Sequence, residues 1–350
     1  MTEVLKAITE WTKRGDRAAL AMVIATQRSA PRPVGTKMAV NQNGDVIGGV
    51  SGGCVEGAVV EIADRVIGGE GPQLIHFGIA DSEAWDVGLP CGGEIDVWIQ
   101  CYEPGRFAEV SQAGGRAAEV TLLEGASPGA KLLLEADGAR TGTLGAPELD
   151  DAATRVAGEL LWTDESVRRG SLFVDIAAPP PRLIVFGAID IAGTVCRLAR
   201  DAGWVPYVVD PRAQFATRER FPDAEQVIAA WPQEALERLG GIDPATSIAV
   251  LTHDPKIDDA VLQIALRSPA RFIGAMGSKR AQAKRRERLH ALGFAYEELE
   301  RMSAPLGLDL GAVSGEETAL SIFAEVVAAR HGREGGRLAD RKGRIHEVAA

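Results

Sequence analysis

Apolar positions in the first part of the chain predict a mixture of helices and strands. Four of them recur at helical spacing near the N-terminus: Val4, Leu5, Ile8 and Trp11. We therefore predict an amphipathic N-terminal helix. Runs typical of strands follow at 18–26, 38–46, 74–77 and 95–101. The periodicity over 55–67 predicts a helix that Gly68 and Gly69 terminate.

The rest of the chain predicts a parallel sheet after a proline-rich break. Short alternating runs are interpreted as small strands and a hairpin that complete a first domain, residues 1–176. Three consecutive prolines make 177–181 a stiff linker. Beyond it, strand-like and helical segments alternate, which predicts a C-terminal, Rossmann-like, doubly wound parallel sheet over 182–333. The charged residues 334–350 are expected to form a flexible tail. The predicted fold class is therefore α/β.

A glycine-rich turn around Cys54 is the strongest functional signal in the first domain. Residues 48–57 read GGVSGGCVEG and lie between a predicted strand and a predicted helix. Glycines such as Gly52 and Gly53 let a ligand approach the main chain, and the start of a helix attracts an anion such as a thiolate. The alternative interpretation is a small buried cysteine in a tight turn.

A related turn and a basic loop accompany this segment. The related turn consists of Pro90, Cys91, Gly92, Gly93 and Glu94. Two such turns favour a functional role for Cys54 and Cys91 over simple packing. The loop 29–37 reads SAPRPVGTK and places Arg32 and Lys37 where a phosphate could bind. It lacks the spacing of a P-loop, so a solvated surface turn is an equally good interpretation.

The second domain opens with a Rossmann pattern whose glycine turn is altered. A strand at 182–186 leads to Gly187, a helix, a second strand and Asp210, the order of a dinucleotide-binding unit. That unit needs glycine where this chain has Ile189, whose branched side chain would project into the phosphate space. Ile189 therefore argues against the NAD(P) binding that the order of elements favours. Two residues at predicted strand ends are further candidate contacts: His253 and Ser278.

Composition and charge exclude several classes of partner. The chain of 350 residues has a net charge of −11 and a pI near 5.1, which argues against binding to nucleic acid. No apolar run is long enough to span a bilayer. Four widely spaced cysteines form neither a disulfide framework nor a zinc motif, so we expect free thiols in a cytoplasmic protein. Cys101 and Cys196 are predicted to be core residues.

Several segments in order resemble the XdhC/CoxI family, the accessory proteins of molybdenum hydroxylases such as xanthine dehydrogenase and carbon monoxide dehydrogenase. They are 29–38, 50–56 and 86–93 in the first domain, and 180–188, 251–255, 274–278 and 307–311 in the second. The resemblance implies an N-terminal α/β domain that handles molybdenum cofactor (molybdopterin), a Rossmann C-terminal domain and a homodimer. It also implies that the protein holds the cofactor, assists its sulfuration and delivers it to an apo-enzyme. The implied partners are a molybdenum hydroxylase and a cysteine desulfurase.

The resemblance also implies roles for individual residues. Cys54 and Cys91 become candidate contacts of the cofactor and its metal, since soft thiolates suit molybdenum. Glu56 would be a nearby polar partner, and Arg32 and Lys37 would balance the pterin phosphate. The family's usual turn, Gly-Ala-Gly-His, is replaced here by Gly187, Ala188, Ile189 and Asp190.

Three functions stay open from the sequence, and whether the chain is an enzyme is undecided. The first is a cofactor-binding chaperone without a catalytic cycle of its own. The second is an NAD(P)-dependent oxidoreductase, supported by Asp210 and by a candidate acid–base pair, His253 and Asp254. Asp210 favours binding of an unphosphorylated ribose, as in NAD, although Arg212 nearby leaves NADP open. The third is a docking protein for a sulfurtransferase or a hydroxylase.

Overall fold

The computed structural model describes residues 2–28, 32–78 and 93–340. The chain divides into two compact units, of which the first ends at Pro179 and the second begins at Pro180. This break falls within the proline-rich segment. Both units combine helices with sheets, so the α/β fold class is confirmed. No helix in the described ranges is long and apolar enough to cross a membrane.

The first unit contains two five-stranded antiparallel sheets. Its helices are α1 (Thr2–Lys13), α2 (Glu56–Gly68), α3 (Arg106–Gln112) and α4 (Pro147–Leu160). Its strands are β1 (Ala18–Gln27), β2 (Lys37–Asn41), β3 (Val46–Gly48), β4 (Gln73–Phe77), β5 (Glu94–Cys101), β6 (Ala117–Leu122), β7 (Lys131–Glu135), β8 (Arg140–Gly142), β9 (Val167–Arg169) and β10 (Leu172–Ala177). The strand orders are β3-β2-β1-β5-β4 and β8-β7-β6-β10-β9.

Each face of the first sheet has its own apolar core. On one face, Val59, Ile62 and Val66 of α2 pack against buried residues of β1 and β5. On the other face, Trp98 of β5 shares a cluster with α1 and with Phe173 of the second sheet. The predicted face of α1 is confirmed, since the side chains of Val4, Leu5 and Ile8 are buried. Burial of apolar surface on both faces explains why β1 is almost continuously apolar.

Helix α4 was not predicted from the sequence. Pro147 occupies its first turn, where the missing N–H costs nothing. Its buried face is formed by Ala153, Ala157 and Leu160. Two of these three positions are alanines, which weakened the hydrophobic periodicity on which the prediction relied.

The second unit contains one six-stranded parallel sheet. Its strands are β11 (Arg182–Phe186), β12 (Val205–Val209), β13 (Gln226–Ile228), β14 (Ser247–Val250), β15 (Phe272–Ala275) and β16 (Met302–Ser303). Its helices are α5 (Asp190–Asp201), α6 (Pro232–Arg238), α7 (Pro255–Arg267), α8 (Lys279–Ala291), α9 (Tyr296–Leu299) and α10 (Gly315–Arg330), followed by a 3-10 turn at Leu338–Asp340. The order β13-β12-β11-β14-β15-β16 is that of a Rossmann fold. The predicted doubly wound sheet is therefore confirmed.

The structure separates the two cysteines that were predicted to lie in the core. Cys196 is fully buried in α5, as predicted. The prediction for Cys101 is wrong, because this residue is exposed at the last position of β5. Its thiol donates a hydrogen bond of 3.3 Å to the carbonyl oxygen of Val66.

Candidate functional site

The loop between β3 and α2 is held in shape by the carboxylate of Glu56. The Oε1 atom accepts hydrogen bonds from the main-chain N–H groups of Val50, Ser51 and Gly52, at 3.1, 2.8 and 2.9 Å. The Oε2 atom accepts from the N–H of Gly53 at 2.7 Å and from the Ser51 hydroxyl. The carboxylate of Glu56 thus occupies main-chain N–H groups of this loop that could otherwise bind an anionic ligand.

These contacts also set the ionisation of Glu56. Partial burial acts to raise its pKa, but the hydrogen bonds from Ser51, Gly52 and Gly53 outweigh burial and lower the pKa to about 2. The group is therefore a carboxylate across the neutral range. Because both oxygens face the loop, the predicted role of Glu56 as a polar partner of a cofactor needs correction. Its contacts give it the role of shaping the loop that carries Cys54.

Ser51 is a residue of this loop that the sequence analysis missed. Its side chain is buried, and its Oγ accepts hydrogen bonds from the N–H groups of Cys54 at 3.0 Å and Val55 at 3.1 Å. Val55 occupies the N-cap of α2 and has no side chain able to cap it. Ser51 and Glu56 satisfy the N–H groups at this helix start instead, in the manner of an extended capping box. The presence of Ser51 and Glu56 on either side of the helix start was the sequence signal that could have predicted this capping.

A cavity of about 640 Å³ adjoins the loop. It brings together five of the predicted site residues: Arg32, Lys37, Gly52, Gly53 and Glu56. Gly52 and Gly53 have φ angles of 95° and 117°, and a Cβ atom added to either would meet nothing within 4 Å. The next residue, Cys54, has an exposed side chain and a free thiol. An exposed thiol thus follows a stretch of bare main chain beside a cavity of the size that ligands occupy.

Lys37 has a partner within the chain, which argues against its predicted role at a phosphate. Its ammonium group is buried and lies 2.8 Å from Oδ2 of Asp175 in β10. It also donates a 3.2 Å hydrogen bond to the carbonyl oxygen of Gly35. Because this charge already has a buried partner, it cannot balance a phosphate. The pair links the two sheets of the first unit, and the carboxylate in the apolar strand β10 was the signal that the sequence analysis overlooked.

Arg32 keeps its place as the candidate cation of the site. Its side chain is exposed, and it has no ion pair within the described ranges. Cys91 and Gly92, the other predicted contacts, lie outside the described residues. Glu94, at the start of β5, forms an ion pair of 3.2 Å with Arg28. Within the part of the chain that the structure describes, no group of three or more His, Cys, Asp or Glu residues is arranged to hold a metal ion.

In the second unit, the carboxylate predicted to bind a ribose is already engaged. Asp210 is fully buried at the end of β12 and accepts hydrogen bonds of 2.9 Å from the N–H of Ala188 and from Nε of Arg212. Burial acts to raise its pKa, but these hydrogen bonds outweigh burial and lower the pKa. The predicted ribose contact is therefore corrected, because Asp210 binds the chain's own Arg212 instead.

A second arginine, Arg220, forms hydrogen bonds with two residues of the altered glycine turn. Arg220 donates hydrogen bonds to Asp190 at 2.9 Å and to the carbonyl oxygen of Ala188 at 3.1 Å. Gly187 is required for packing, since a Cβ atom there would lie 2.7 Å from the methyl group of Thr252. Ile189 is the N-cap of α5 and packs partly buried against the apolar core, and Asp190 follows it with a negative charge at the helix start where a pyrophosphate would bind. These residues do not fit a dinucleotide.

The remaining predicted contacts act mainly at helix starts. Ser278 caps α8 by accepting from the N–H of Ala281 at 3.3 Å. Asp254 caps α7 by accepting from the N–H of Lys256 at 2.9 Å. His253 is exposed beside it. The predicted acid–base pair therefore contains an aspartate that is engaged as a helix cap.

The altered turn yields a direct prediction about nucleotides. We expect no saturable binding of NAD+, NADH, NADP+ or NADPH at millimolar concentration, measured by isothermal titration calorimetry. The double substitution I189G/D190H restores the glycine turn of the family and supplies the comparison. Saturable binding to the unmodified chain would contradict the prediction.

Comparisons with known proteins agree with this architecture. Residues 183–326 match the family model described as the XdhC Rossmann domain, and residues 11–78 match the model described as the XdhC and CoxI family. A protein from Bacillus subtilis (strain 168), named as a probable xanthine dehydrogenase subunit, is 28% identical over 90% of this chain and 94% of its own length. The molybdenum cofactor insertion chaperone PaoD from Escherichia coli (strain K12) is 27% identical over 93% of this chain and 88% of its own.

A solved structure supports the fold. The crystal structure of a protein described as a xanthine dehydrogenase from Bacillus halodurans superposes with a TM-score of 0.63. It covers 96% of this chain and 97% of its own at 23% sequence identity. With both units matched by family models and relatives aligned over most of the length, the chain belongs to the XdhC/CoxI family.

Proposed function

We propose that this chain is an accessory protein that holds molybdenum cofactor and delivers it to a molybdenum hydroxylase. The observation that carries the proposal is the exposed thiol of Cys54. It directly follows Gly52 and Gly53, which line a cavity of about 640 Å³ together with Arg32. The names of the relatives from Bacillus subtilis and Escherichia coli point in the same direction.

The residues of this site suit the proposed ligand. A thiolate at Cys54 would be a soft ligand for molybdenum. The open space at Gly52 and Gly53 would admit a flat ring against the main chain. Arg32, exposed and without an ion pair in the described ranges, would bind a phosphate group. When bound, the cofactor supplies a redox-active metal to the client enzyme, while the residues of this chain bind and orient it.

Finer aspects of the function follow from the family resemblance. We propose that the protein assists sulfuration of the cofactor, with a cysteine desulfurase as the sulfur-donating partner and Cys91 as a second cofactor-contacting thiol. We further propose that it acts as a homodimer in the cytoplasm. Light scattering coupled to size-exclusion chromatography of the purified chain tests the dimer.

Removal of the Cys54 thiol tests the proposed site. The chain is purified from a host that makes molybdenum cofactor, and molybdenum and released pterin are measured per chain. We expect Cys54→Ala to lower retention of both by roughly tenfold or more, since mutation even of the residues that support metal ligands typically lowers metal affinity roughly 10–100-fold. Cys101→Ala is the matched control, because it removes an exposed thiol elsewhere in the first unit.

Unchanged retention in Cys54→Ala, and again in the double variant with Cys91→Ala, would contradict the thiol assignment. An unmodified chain that carries neither molybdenum nor pterin would contradict the function itself. In that case, a complex with the hydroxylase that forms without any small molecule would support the docking function instead. The altered turn and the engaged Asp210 oppose the oxidoreductase function.

A further inference from the structure

The two sheets of the first unit have one topology. In each, three successive strands are followed by a helix and two more strands, and the first strand lies at the centre of the sheet. A further helix, α1 or α3, precedes each first strand. Residues 2–101 and 106–177 are therefore two copies of the same arrangement. We refer to them as the first module and the second module.

The sequences of the modules agree at matching positions. Between the second strand and the following helix, four positions correspond with equal spacing and no gap: Lys37 with Lys131, Gly44 with Gly138, Gly48 with Gly142, and Glu56 with Asp150. The approach to the first strand corresponds as well, with Gly15, Arg17, Ala18 and Ala19 matching Gly114, Arg116, Ala117 and Ala118 without a gap.

The matching glycines have the same geometry. Gly48 and Gly142 end the third strand of their modules with φ angles of 81° and 88°. A Cβ atom on Gly48 would lie 2.4 Å from the carbonyl oxygen of Lys37, and one on Gly142 would lie 2.4 Å from that of Lys131. The same close approach of main chain to main chain thus excludes a side chain at both positions.

The carboxylate that shapes the loop is also present in both modules. Asp150 accepts a hydrogen bond of 2.6 Å from the N–H of Leu144, as Glu56 does from the matching residue Val50. Asp150 also accepts from the Thr143 hydroxyl at 2.7 Å. These two bonds lower the pKa of Asp150, and the hydrogen bonds from Ser51, Gly52 and Gly53 lower that of Glu56. The buried faces of the two helices then continue in register: Val59, Ala63, Val66 and Ile67 with Ala153, Ala157, Leu160 and Leu161.

The modules differ in chemical character at four consecutive loop positions. The first module has Ser51, Gly52, Gly53 and Cys54, where the second has Gly145, Ala146, Pro147 and Glu148. Cys54 and Glu148 are both exposed. A smaller cavity of about 190 Å³ is lined by Lys131 and Gly142 together with Tyr102 and with Lys37 of the first module, and the loop 145–148 does not line it. Both modules therefore share the same arrangement of strands and helix and a carboxylate that shapes the loop, while the loop side chains differ in chemical type.

We infer that the first unit is an internal duplication in which the segment 51–54 determines ligand specificity and the residues common to both modules are scaffold. Lys131, Gly142 and Asp150 match Lys37, Gly48 and Glu56 in a module whose loop has no thiol. We therefore assign these residues a structural function. The second module presents the corresponding loop, residues 145–148, without a thiol. The inference depends on the proposed function only in one respect, namely that the ligand is molybdenum cofactor.

Transplanting the loop tests the inference in the full chain. The substitutions G145S, A146G, P147G, E148C and D150E are introduced together in a Cys54→Ala background. We expect the main-chain N–H groups of the transplanted loop to exchange with deuterium as slowly as those of 50–53 do in the unmodified chain. The thiol introduced by E148C should react with a thiol reagent as fast as Cys54 does. Retention of molybdenum and pterin, lost in Cys54→Ala, should return.

Each other outcome has a defined meaning. Fast exchange in the transplanted loop would overturn the equivalence of the modules. A protected loop without returned retention, when the unmodified chain does retain cofactor, would overturn the specificity role of 51–54. An unmodified chain without cofactor would remove the proposed function, and the exchange and thiol measurements would still test the duplication.

A milder pair of variants covers the case in which the transplanted chain does not fold. Gly48→Ala and Gly142→Ala each force a side chain against the carbonyl oxygen of a lysine. The duplication predicts that both shift the denaturation midpoint of the first unit downward by similar amounts. A neutral effect of one and a strong effect of the other would overturn the equivalence.

Discussion

Glu56→Ala is expected to release the loop that carries Cys54 and to abolish cofactor retention. The substitution removes the acceptor of the N–H groups of Val50, Ser51, Gly52 and Gly53. Hydrogen bonds to a charged group contribute about 1.5–3 kcal/mol each, and less where water can replace the acceptor. Hydrogen–deuterium exchange over 50–55 should therefore accelerate, with retained molybdenum measured in parallel.

Glu61→Ala is the matched control, because it removes an exposed carboxylate from the next turn of α2. Glu56→Gln should have an intermediate effect, since the amide keeps one acceptor oxygen and loses the charge. Slow exchange over 50–55 in Glu56→Ala, equal to that of the unmodified chain, would contradict the role assigned to Glu56.

The same carboxylate predicts a pH dependence of the loop. Its pKa is about 2 in the folded chain against an ordinary value of 4.5. Because folding lowers the pKa, the stabilisation is fully present above pH 4.5 and is lost as the pH falls through about 2. Exchange over 50–55 in the unmodified chain should therefore accelerate on acidification within this window, beyond the intrinsic exchange rates, and Glu56→Gln should lack this acceleration.

Lys37→Met is expected to destabilise the first unit by about 3–5 kcal/mol, the cost of leaving a buried charge without its partner. The side chain of Asp175 is 1% exposed, so its carboxylate cannot be hydrated in place of the lost ammonium. Ser166 would remain as a hydrogen-bond donor to it at 3.0 Å, which offsets only part of the loss. Urea denaturation measures the loss of stability, and hydrogen exchange of the main chain of β1 and β10 shows whether the first unit is affected.

The control for this experiment is Lys13→Met, which replaces an exposed lysine at the end of α1. The double variant with Asp175→Leu should recover most of the loss, because a buried ion pair is often replaced by apolar residues at little cost. Unchanged stability in Lys37→Met, together with reduced cofactor retention, would contradict the structural role and return Lys37 to the ligand site.

Elements with a strong local signal were predictable from the sequence. Ser314 and Glu317 form the capping box that starts α10, and Gly69 ends α2 in the left-handed conformation. Both depend on interactions within a few residues of the chain. Helix α4 escaped prediction because alanines provide most of its buried face. Cys101 was predicted to be a core residue because it lies in an apolar strand. As the last residue of β5 it is exposed, which membership of a strand does not indicate.

The sequence indicated a location for the candidate site but not the partners that several of its residues have in the fold. The cluster of Gly52, Gly53 and Cys54 was visible because glycines at adjacent positions are a local property of the chain. The partners of Lys37 and Asp210 were not. Asp175 is distant from Lys37 in sequence, so its pairing depends on how the two sheets pack. Asp210 and Arg212 are neighbours, yet both were assigned to a nucleotide because the sequence does not state which acceptor an arginine will bind.

By itself, the amino-acid sequence indicated the family through the resemblance of several ordered segments. It also determined the α/β class and the parallel sheet of the second unit, since these follow from periodicity and from glycine and proline positions along the chain. The tertiary structure alone decided which charges are free. Buried charges seek partners across the fold, and their pairing removed Lys37, Glu56 and Asp210 from the set available to a ligand. It left Cys54 and Arg32 exposed beside the cavity of the first module.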